Sequence, residues 1–362
     1  MYGSLPPSTS MRIRAAASPE AALGDWVCHE PVAVAIPDIT RPLDCVPALR
    51  ALRRRLIGGM TVVVGLGLHR RMTDTELAEL SEFSPLQHDP DDVVSTSTVM
   101  GIPGAVGRPV AEAAWSIGVG IAELHQYAGI SGGHKAVAVG CGGRETIAAL
   151  HHRDRVCAPG VALGKLDGNP FRAAIDALGE AAGCRLCLLY VPAVDRWLAG
   201  PPRAVVAHAA EMLEPWQAVP RRVPGVLLRV PPAKAASLYQ ASRAATYLAL
   251  SPSPPVRPGG TLLLEAACSE GLGSEAGFVH ALQSHSPPWT ALLTGSPPTG
   301  AGAQRAVMFA LMAQRFRLRV VGCQSAAALR GVGIDATQEP AILPTGWLDV
   351  PDPFHRLPQV RA

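Results

Sequence analysis

Three short apolar runs, VAVAI at 32–36, MTVVVGL at 60–66 and SIGVGI at 116–121, restrict the fold of this chain more than any other feature. Each reads as a short buried strand, and segments of helical spacing follow the first two, at 42–57 and 73–83. Thr73 stands at the N-cap of the second of these helices, with Glu76 at the capping-box position. Strands and helices that alternate in this way belong to an α/β sheet. The first two runs close on polar clusters, PDITRP at 37–42 and GLHRRMT at 67–73, which suits a sheet that carries its functional residues just past the strand C-termini.

The alternation continues along the chain. Residues 136–139 are expected to form a strand, followed by a helix from about Arg144 to His152. A helix over 169–182 leads into a strand at 186–191, and the proline-rich VPRRVPG at 219–225 reads as a linker. Beyond it, GVLLRV starts a second unit with a helix at 233–250, a strand at 261–265, a helix at 303–315 and a strand at 318–321. The expected architecture is therefore two Rossmann-like α/β domains, residues 1–222 and 223–362, with the active site in the cleft between them. The Pro/Gly/Ser-rich stretches 251–260 and 286–302 read as cleft or surface loops, and no internal repeat of fixed period occurs.

Composition removes several classes of function. With 48% apolar and 17% charged residues the chain is globular, and its longest apolar runs are too short to span a bilayer. The formal charge is +3 and the 32 basic residues are scattered, so no basic stripe argues for nucleic acid. The eight cysteines lie mostly in apolar segments, where a reduced thiol behaves as a small hydrophobe. Cys184 and Cys187 form a CxxC, but they open an apolar strand and lack a second pair at zinc-finger spacing. Residues 1–19 read as a ragged leader without a secretory signal, so the expectation is a soluble, cytoplasmic protein with no membrane partner.

Only three of the 32 basic residues are lysines: Lys135, Lys165 and Lys234. A chain that uses arginine almost wherever a positive charge suffices keeps a lysine in the turn SGGHK, residues 131–135. That points to a need for its amine, because a guanidinium is never deprotonated and is a poor nucleophile. Other polar clusters fall at predicted strand ends or helix ends: Asp38 with Thr40 and Arg41, then His69, His125 and His151. Taken singly, Asp38 with Thr40 could cap a helix, the histidines could be ordinary loop residues, and His151 could sit favourably against a helix dipole. SGGHK alone fits a phosphate-cradling turn or the lysine of a PLP enzyme.

Together, PDITRP, GLHRRMT, HDPDD (88–92), ELHQYAGISGGHK (123–135), the TIAALH ending at 151 and GNPFR (168–172) resemble, in this order, the lactate racemase family, whose members use a nickel-pincer nucleotide. The resemblance covers roughly residues 30–335 and is most specific from 125 to 151. It implies that Lys135 carries the cofactor covalently and that His151, sixteen residues on, binds its nickel. It also implies that His69 and His125 are the catalytic acid/base pair, that Arg41 takes the substrate carboxylate, and that Asp38, Thr40 and Arg41 touch the cofactor. A cofactor of this kind accepts hydride from the Cα of a 2-hydroxy acid while a base removes the hydroxyl proton, and imidazoles suit that task near neutral pH.

In the second half, LYQASRA (238–244) resembles the family's tyrosine-glutamine pair and a following substrate lysine, which gives Tyr239, Gln240 and Arg243. The tryptophan that walls the lactate pocket has no counterpart in TGAGAQRAVMF (299–309), where Ala303 and Gln304 stand. The expected substrate is accordingly a 2-hydroxy acid larger than lactate. The resemblance thus implies a racemase or epimerase, an isomerase that depends on cofactor-biosynthesis proteins for activation. The alternatives are a non-catalytic carrier of the cofactor or nickel and, less favoured, a PLP-type enzyme with Lys135 as the Schiff-base lysine. His134 and His152 are additional to the pattern and read as structural.

Overall fold

The computed structural model describes residues 12–360, which form two units: residues 12–150 with 159–214, and residues 151–158 with 215–360. The change of unit late in the chain falls between Glu214 and Pro215, ahead of the expected boundary at 222, and the short segment His151–Ala158 groups with the second unit.

The first unit is built on a seven-stranded sheet in the order Arg14–Ala16, Arg196–Gly200, Cys184–Val191, Trp115–Ile121, Val32–Pro37, Met60–Gly65, Leu86–Gln87. Its strands run parallel from Cys184–Val191 to Leu86–Gln87, while Arg196–Gly200 pairs antiparallel with both of its neighbours, Cys184–Val191 and Arg14–Ala16. All of Trp115–Ile121 is buried, as is all of Val32–Pro37 except its terminal proline, which is why these strands read as unbroken apolar runs. One face packs Val34, Ile36, Val62, Val64 and Ile117 against Leu49 and Leu52 of the helix Val46–Arg55.

The other face is made of small residues, among them Ala33 and Ala35. Gly118 belongs here too: a Cβ on it would lie 2.9 Å from the carbonyl oxygen of Gly133 and 3.2 Å from the Ala136 methyl. Glycine in this strand lets another stretch of backbone lie directly on the sheet, and that stretch is the lysine turn. Residues 136–139, expected as a strand, accordingly belong to the helix Lys135–Ala138 and its C-cap Val139. Trp115–Ile121 already has strands on both sides, so the next segment has to cross the sheet face. A four-residue apolar run carries no period that would reveal this.

Other expectations need correction. From the supposed leader, Arg14–Ala16 is an edge strand and Ser18 caps the helix Pro19–Leu23, while residues 1–11 lie outside the described residues. The supposed linker 219–225 contributes to two strands, Trp216–Val219 and Val223–Arg229. The capping box at Thr73 and Glu76 forms as expected, but the helix is α-helical only over Asp74–Leu77 and tightens to 3-10 geometry over Ala78–Phe83. Cys184 and Cys187 are buried within one strand.

The second unit has an all-parallel five-stranded sheet in the order Asp335–Ala336, Arg317–Val321, Val256–Glu265, Val223–Arg229, Leu348–Val350. The helices Leu238–Ala249 and Ala303–Ala313 accompany it. The loop expected over 251–260 is taken up from Val256 onward by a strand, and the one over 286–302 carries the short helix Ala291–Thr294. Among the described residues no helix is long and apolar enough to cross a membrane.

Candidate active site

Asp38 follows the strand Val32–Pro37 and is buried. One carboxylate oxygen accepts from the Thr40 backbone N–H at 3.1 Å and from its hydroxyl at 2.6 Å, and the other lies 2.7 Å from Nδ1 of His69. Burial alone would push this carboxyl up. The hydrogen bond and charge of His69, the Thr40 hydroxyl and the Arg41 charge outweigh it and bring the carboxyl down to about 2. An ionised carboxylate only accepts, so Nδ1 of His69 carries the proton of this bond. Asp38, expected at the cofactor, is thus committed in this structure to Thr40 and His69.

Arg41, expected at the substrate, donates from Nη1 to Oε2 of Glu123 at 3.2 Å. Glu123 is buried and was not anticipated from the sequence, although it opens the ELHQYAG motif. The backbone N–H of Glu123 donates to the Ser131 hydroxyl, and the backbone N–H of Ser131 donates back to the Glu123 carbonyl. These bonds close the loop 123–131 on itself. Within the loop, Leu124–His125 pairs antiparallel with Gly129–Ile130. The Nδ1 atom of His125 accepts two backbone N–H groups, from Tyr127 at 3.3 Å and Ala128 at 3.1 Å.

Lys135 begins its helix after the N-cap His134, which follows Gly132 (φ 100°) and Gly133 (φ 63°), both in the left-handed region that glycine tolerates. A Cβ on Gly132 would lie 2.4 Å from Leu189, and one on Gly133 would lie 2.7 Å from Val206. The turn is therefore pressed against its surroundings, and the GNPFR motif anchors it. Asn169 caps the helix Pro170–Ala181 and donates to the Tyr127 and Lys165 carbonyls. Arg172 donates from Nη1 to the carbonyls of Ile130 (3.4 Å) and Gly132 (3.3 Å), and forks onto Asp176 at 3.1 and 2.5 Å. Asp176 also meets Nδ1 of His134 at 3.0 Å. Burial opposes its ionisation, but His134 and Arg172 hold its carboxyl below the usual range. His134, the neighbour of Lys135, is thus a structural residue, as expected.

HDPDD has a similar office one turn further on. His88 donates from Nε2 to the Gly142 carbonyl at 2.9 Å, and Asp91 receives the fork of Arg144 at 2.8 and 2.6 Å. Both fix the start of the helix Arg144–Leu150, whose last residue precedes His151. His152 caps the next helix, Arg153–Val156, and Arg153 donates to the Gly295 carbonyl at 2.6 Å, so the segment that holds His151 is tied to the second unit.

In the second unit, Tyr239, Gln240 and Arg243 lie on the helix Leu238–Ala249. Arg243 donates to the Tyr247 hydroxyl at 3.3 and 2.9 Å and to Oε1 of Gln240 at 3.3 Å, and stands 5.4 Å from the centre of the Phe354 ring. Two further buried cations were missed: Lys234, 4.3 Å above the same ring, and Arg305, over Tyr239. The scarcity of lysine that singled out Lys135 applied equally to Lys234. In TGAGAQRAVMF, Gly302 (φ 76°) abuts Tyr239, where a Cβ would come within 2.7 Å of the ring. The nearby Trp289 is buried edge-to-face on Phe309 and belongs to the core.

No group of three or more His, Cys, Asp or Glu among the described residues could hold a metal ion by itself. Two open hollows of about 510 and 500 Å³ in the second unit, one near Arg315 and one near Ala266, contain none of the expected site residues.

Residues 18–164 match the family described as the lactate racemase N-terminal domain. The fold is similar to that of the lactate racemase apoprotein from Thermoanaerobacterium thermosaccharolyticum, with a TM-score of 0.80 and 18% identity over 99% of this chain and 97% of the other. It is also similar to a protein from Thermotoga maritima, with a TM-score of 0.73 and 15% identity over 95% and 96% of the two chains. No curated protein matches the sequence.

Proposed function

We propose that the chain, whose residues 18–164 match the lactate racemase N-terminal domain, belongs to that family and is a racemase or epimerase of a 2-hydroxy acid larger than lactate. The observation that carries this reading over a mere cofactor carrier is the contact of buried Asp38 with the half-buried His69 at 2.7 Å. A carrier has no need of an imidazole whose Nδ1 proton is fixed by a carboxylate.

Lys135 and His151 have the side-chain chemistry that a nickel-pincer nucleotide would need. Such a group brings most of its metal donors with it and asks the protein for an amine and one imidazole, which Lys135 and His151 supply. When bound, it provides an acceptor for the hydride of the substrate Cα. The rest falls to the side chains. His69 takes the hydroxyl proton at Nε2, and the resulting imidazolium is held by the Asp38 carboxylate. His125 is the second catalytic histidine. Arg41 orients the substrate carboxylate through the edge of its fork that Glu123 does not occupy, and Tyr239, Gln240 and Arg243 bind the remainder of the substrate. Activation requires cofactor-biosynthesis proteins as partners.

The test is the intact mass and nickel content of the full chain co-produced with such proteins, beside Lys135→Ala, followed by a screen of chiral 2-hydroxy acids. A mass increase and about one nickel per chain, both lost in the variant, together with racemisation of at least one acid, is the expected result. Loading without turnover of any acid would favour the carrier reading. Absence of both mass and metal, in conditions that load a control racemase, would refute the proposal.

A further inference from the structure

The hollow of about 510 Å³ in the second unit lies at the N-terminal edge of its sheet, where Val223, Val256 and Arg317 begin parallel strands. The segments that form its rim are tied to one another. The backbone N–H of Val223 donates to the Pro255 carbonyl at 2.7 Å, and that of Gly259 donates to the Arg315 carbonyl at 2.8 Å. Residues 219–225, 251–261 and 312–318 hold five arginines, Arg221, Arg222, Arg257, Arg315 and Arg317, and no aspartate or glutamate. Three of these, Arg222, Arg315 and Arg317, line the hollow. Further along the same strands, Arg229 meets Glu265 and Asp349, and Arg319 meets Asp335. Among the described residues the side chains of Arg222 and Arg317 have no ion pair and no hydrogen bond. Arg315 is partly engaged: its Nη1 donates at 2.8 Å to the carbonyl of Ala249, where the helix Leu238–Ala249 ends. The helix Ala303–Ala313 ends here as well. Two helix ends of about half a negative charge each, set against three guanidiniums, leave an excess of about two positive charges.

We infer that this hollow binds a small oligophosphate, either free or carried by a nucleotide. Guanidinium forks match the oxygens of a phosphate in pairs. A chain of two or three phosphoryl groups can reach more than one fork at once, which a single carboxylate cannot. The arginines converge on a hollow and form no stripe along the surface, so the ligand is a small molecule and not a nucleic acid. Pro254 and Pro258 add apolar wall, and the volume lies in the range of small-molecule sites. Tyr239 and Gln240, expected at the 2-hydroxy acid, open the helix Leu238–Ala249, whereas the hollow adjoins its other end. The site is therefore separate from the expected chemistry, and the inference does not use the racemase reading.

Calorimetric titration of the full-length apoprotein with sodium tripolyphosphate and with ADP, near neutral pH in about 0.1 M salt, tests this. One site per chain with a Kd below about 0.1 mM for tripolyphosphate is the expected result. The double variant Arg222→Gln with Arg317→Gln is expected to weaken it at least about tenfold, and Gln314→Glu, which sets a carboxylate into the hollow, to do the same. These three side chains lie at the surface, and a melting temperature close to wild type confirms that the variants fold. ADP that binds more tightly than tripolyphosphate identifies a nucleotide as the source of the phosphates; equal or weaker binding identifies the bare phosphate chain. Binding of both probes no tighter than about 1 mM overturns the inference. So does binding that the hollow variants leave unchanged, including binding lost instead in Lys135→Ala, which would belong to the lysine turn. A chain that never loads a cofactor or turns over an acid would refute the racemase reading and leave these titrations as decisive as before.

Discussion

Asp176→Ala offers the sharpest test of how the lysine turn is held. The carboxylate is 7% exposed and receives Arg172 at both oxygens and His134 at one. The guanidinium of Arg172 is 5% exposed, so removing its partner strands a buried charge, which costs roughly 3–5 kcal/mol. For a unit of this size each kcal/mol moves the melting temperature by about 2–4 °C, so the expected fall is on the order of 10 °C. Arg203 approaches the same carboxylate at 3.6 Å but is 51% exposed, and Arg203→Ala is expected to cost less than about 1 kcal/mol. Replacing both buried partners with apolar residues, Arg172→Met with Asp176→Leu, is expected to recover most of the stability, because no charge is left stranded. It would not restore the bonds from Arg172 to the Ile130 and Gly132 carbonyls. Urea or thermal unfolding of the apoprotein measures the first effect, and amide exchange over 130–137 the second. Exchange in that segment is expected to rise in both Asp176→Ala and the double variant. The reasoning fails if Asp176→Ala stays within about 1 kcal/mol of wild type, or if it loses stability without any change in exchange around Lys135.

Asp38 makes stability depend on pH in a defined direction. Its carboxyl lies at about 2 in the fold against an aspartate's usual 3.8, so the stabilisation is fully present above about pH 4 and is lost as pH falls towards 2. The difference corresponds to about 2 kcal/mol. Asp38→Asn should therefore be less stable than wild type at pH 6, with the gap closing in acid, and urea unfolding curves that stay parallel from pH 6 to pH 3 would contradict this. The thiols offer a separate check. Of eight free cysteines only Cys157 is exposed, while burial pushes Cys187 up to about 12 and Cys184 up as well. A disulfide reagent is expected to label one thiol quickly in the native protein, and equally rapid labelling of Cys184 and Cys187 would return the CxxC to consideration as an exposed pair.

The α/β character was legible because strands covered on both faces leave unbroken apolar runs, and Val32–Pro37, Met60–Gly65 and Trp115–Ile121 all formed close to where they were expected. The misreadings share a cause. Residues 136–139 and 219–225 are too short, or too rich in proline, for a period to declare itself, and their state was decided by neighbours distant in sequence. The separation between His134 and His88 was likewise invisible: one serves the Arg172–Asp176 network and the other caps a carbonyl, and neither local spacing distinguishes them.

What the sequence determined by itself is local: the three buried apolar strands, the capping box at Thr73, and a rare lysine in a glycine turn. Tertiary structure alone decided who faces whom. Asp38 meets His69 across 31 residues, Arg41 meets Glu123 across 82, and Arg172 reaches Ile130 across 42. Such pairings follow from the order of strands in the sheet, which no short window of sequence encodes, because hydrogen-bonding side chains act over about 3 Å while the chain that brings them together runs through whole elements. The same holds for His125, since it is the fold of residues 124–130, and not the identity of the histidine, that turns two N–H groups towards one ring nitrogen.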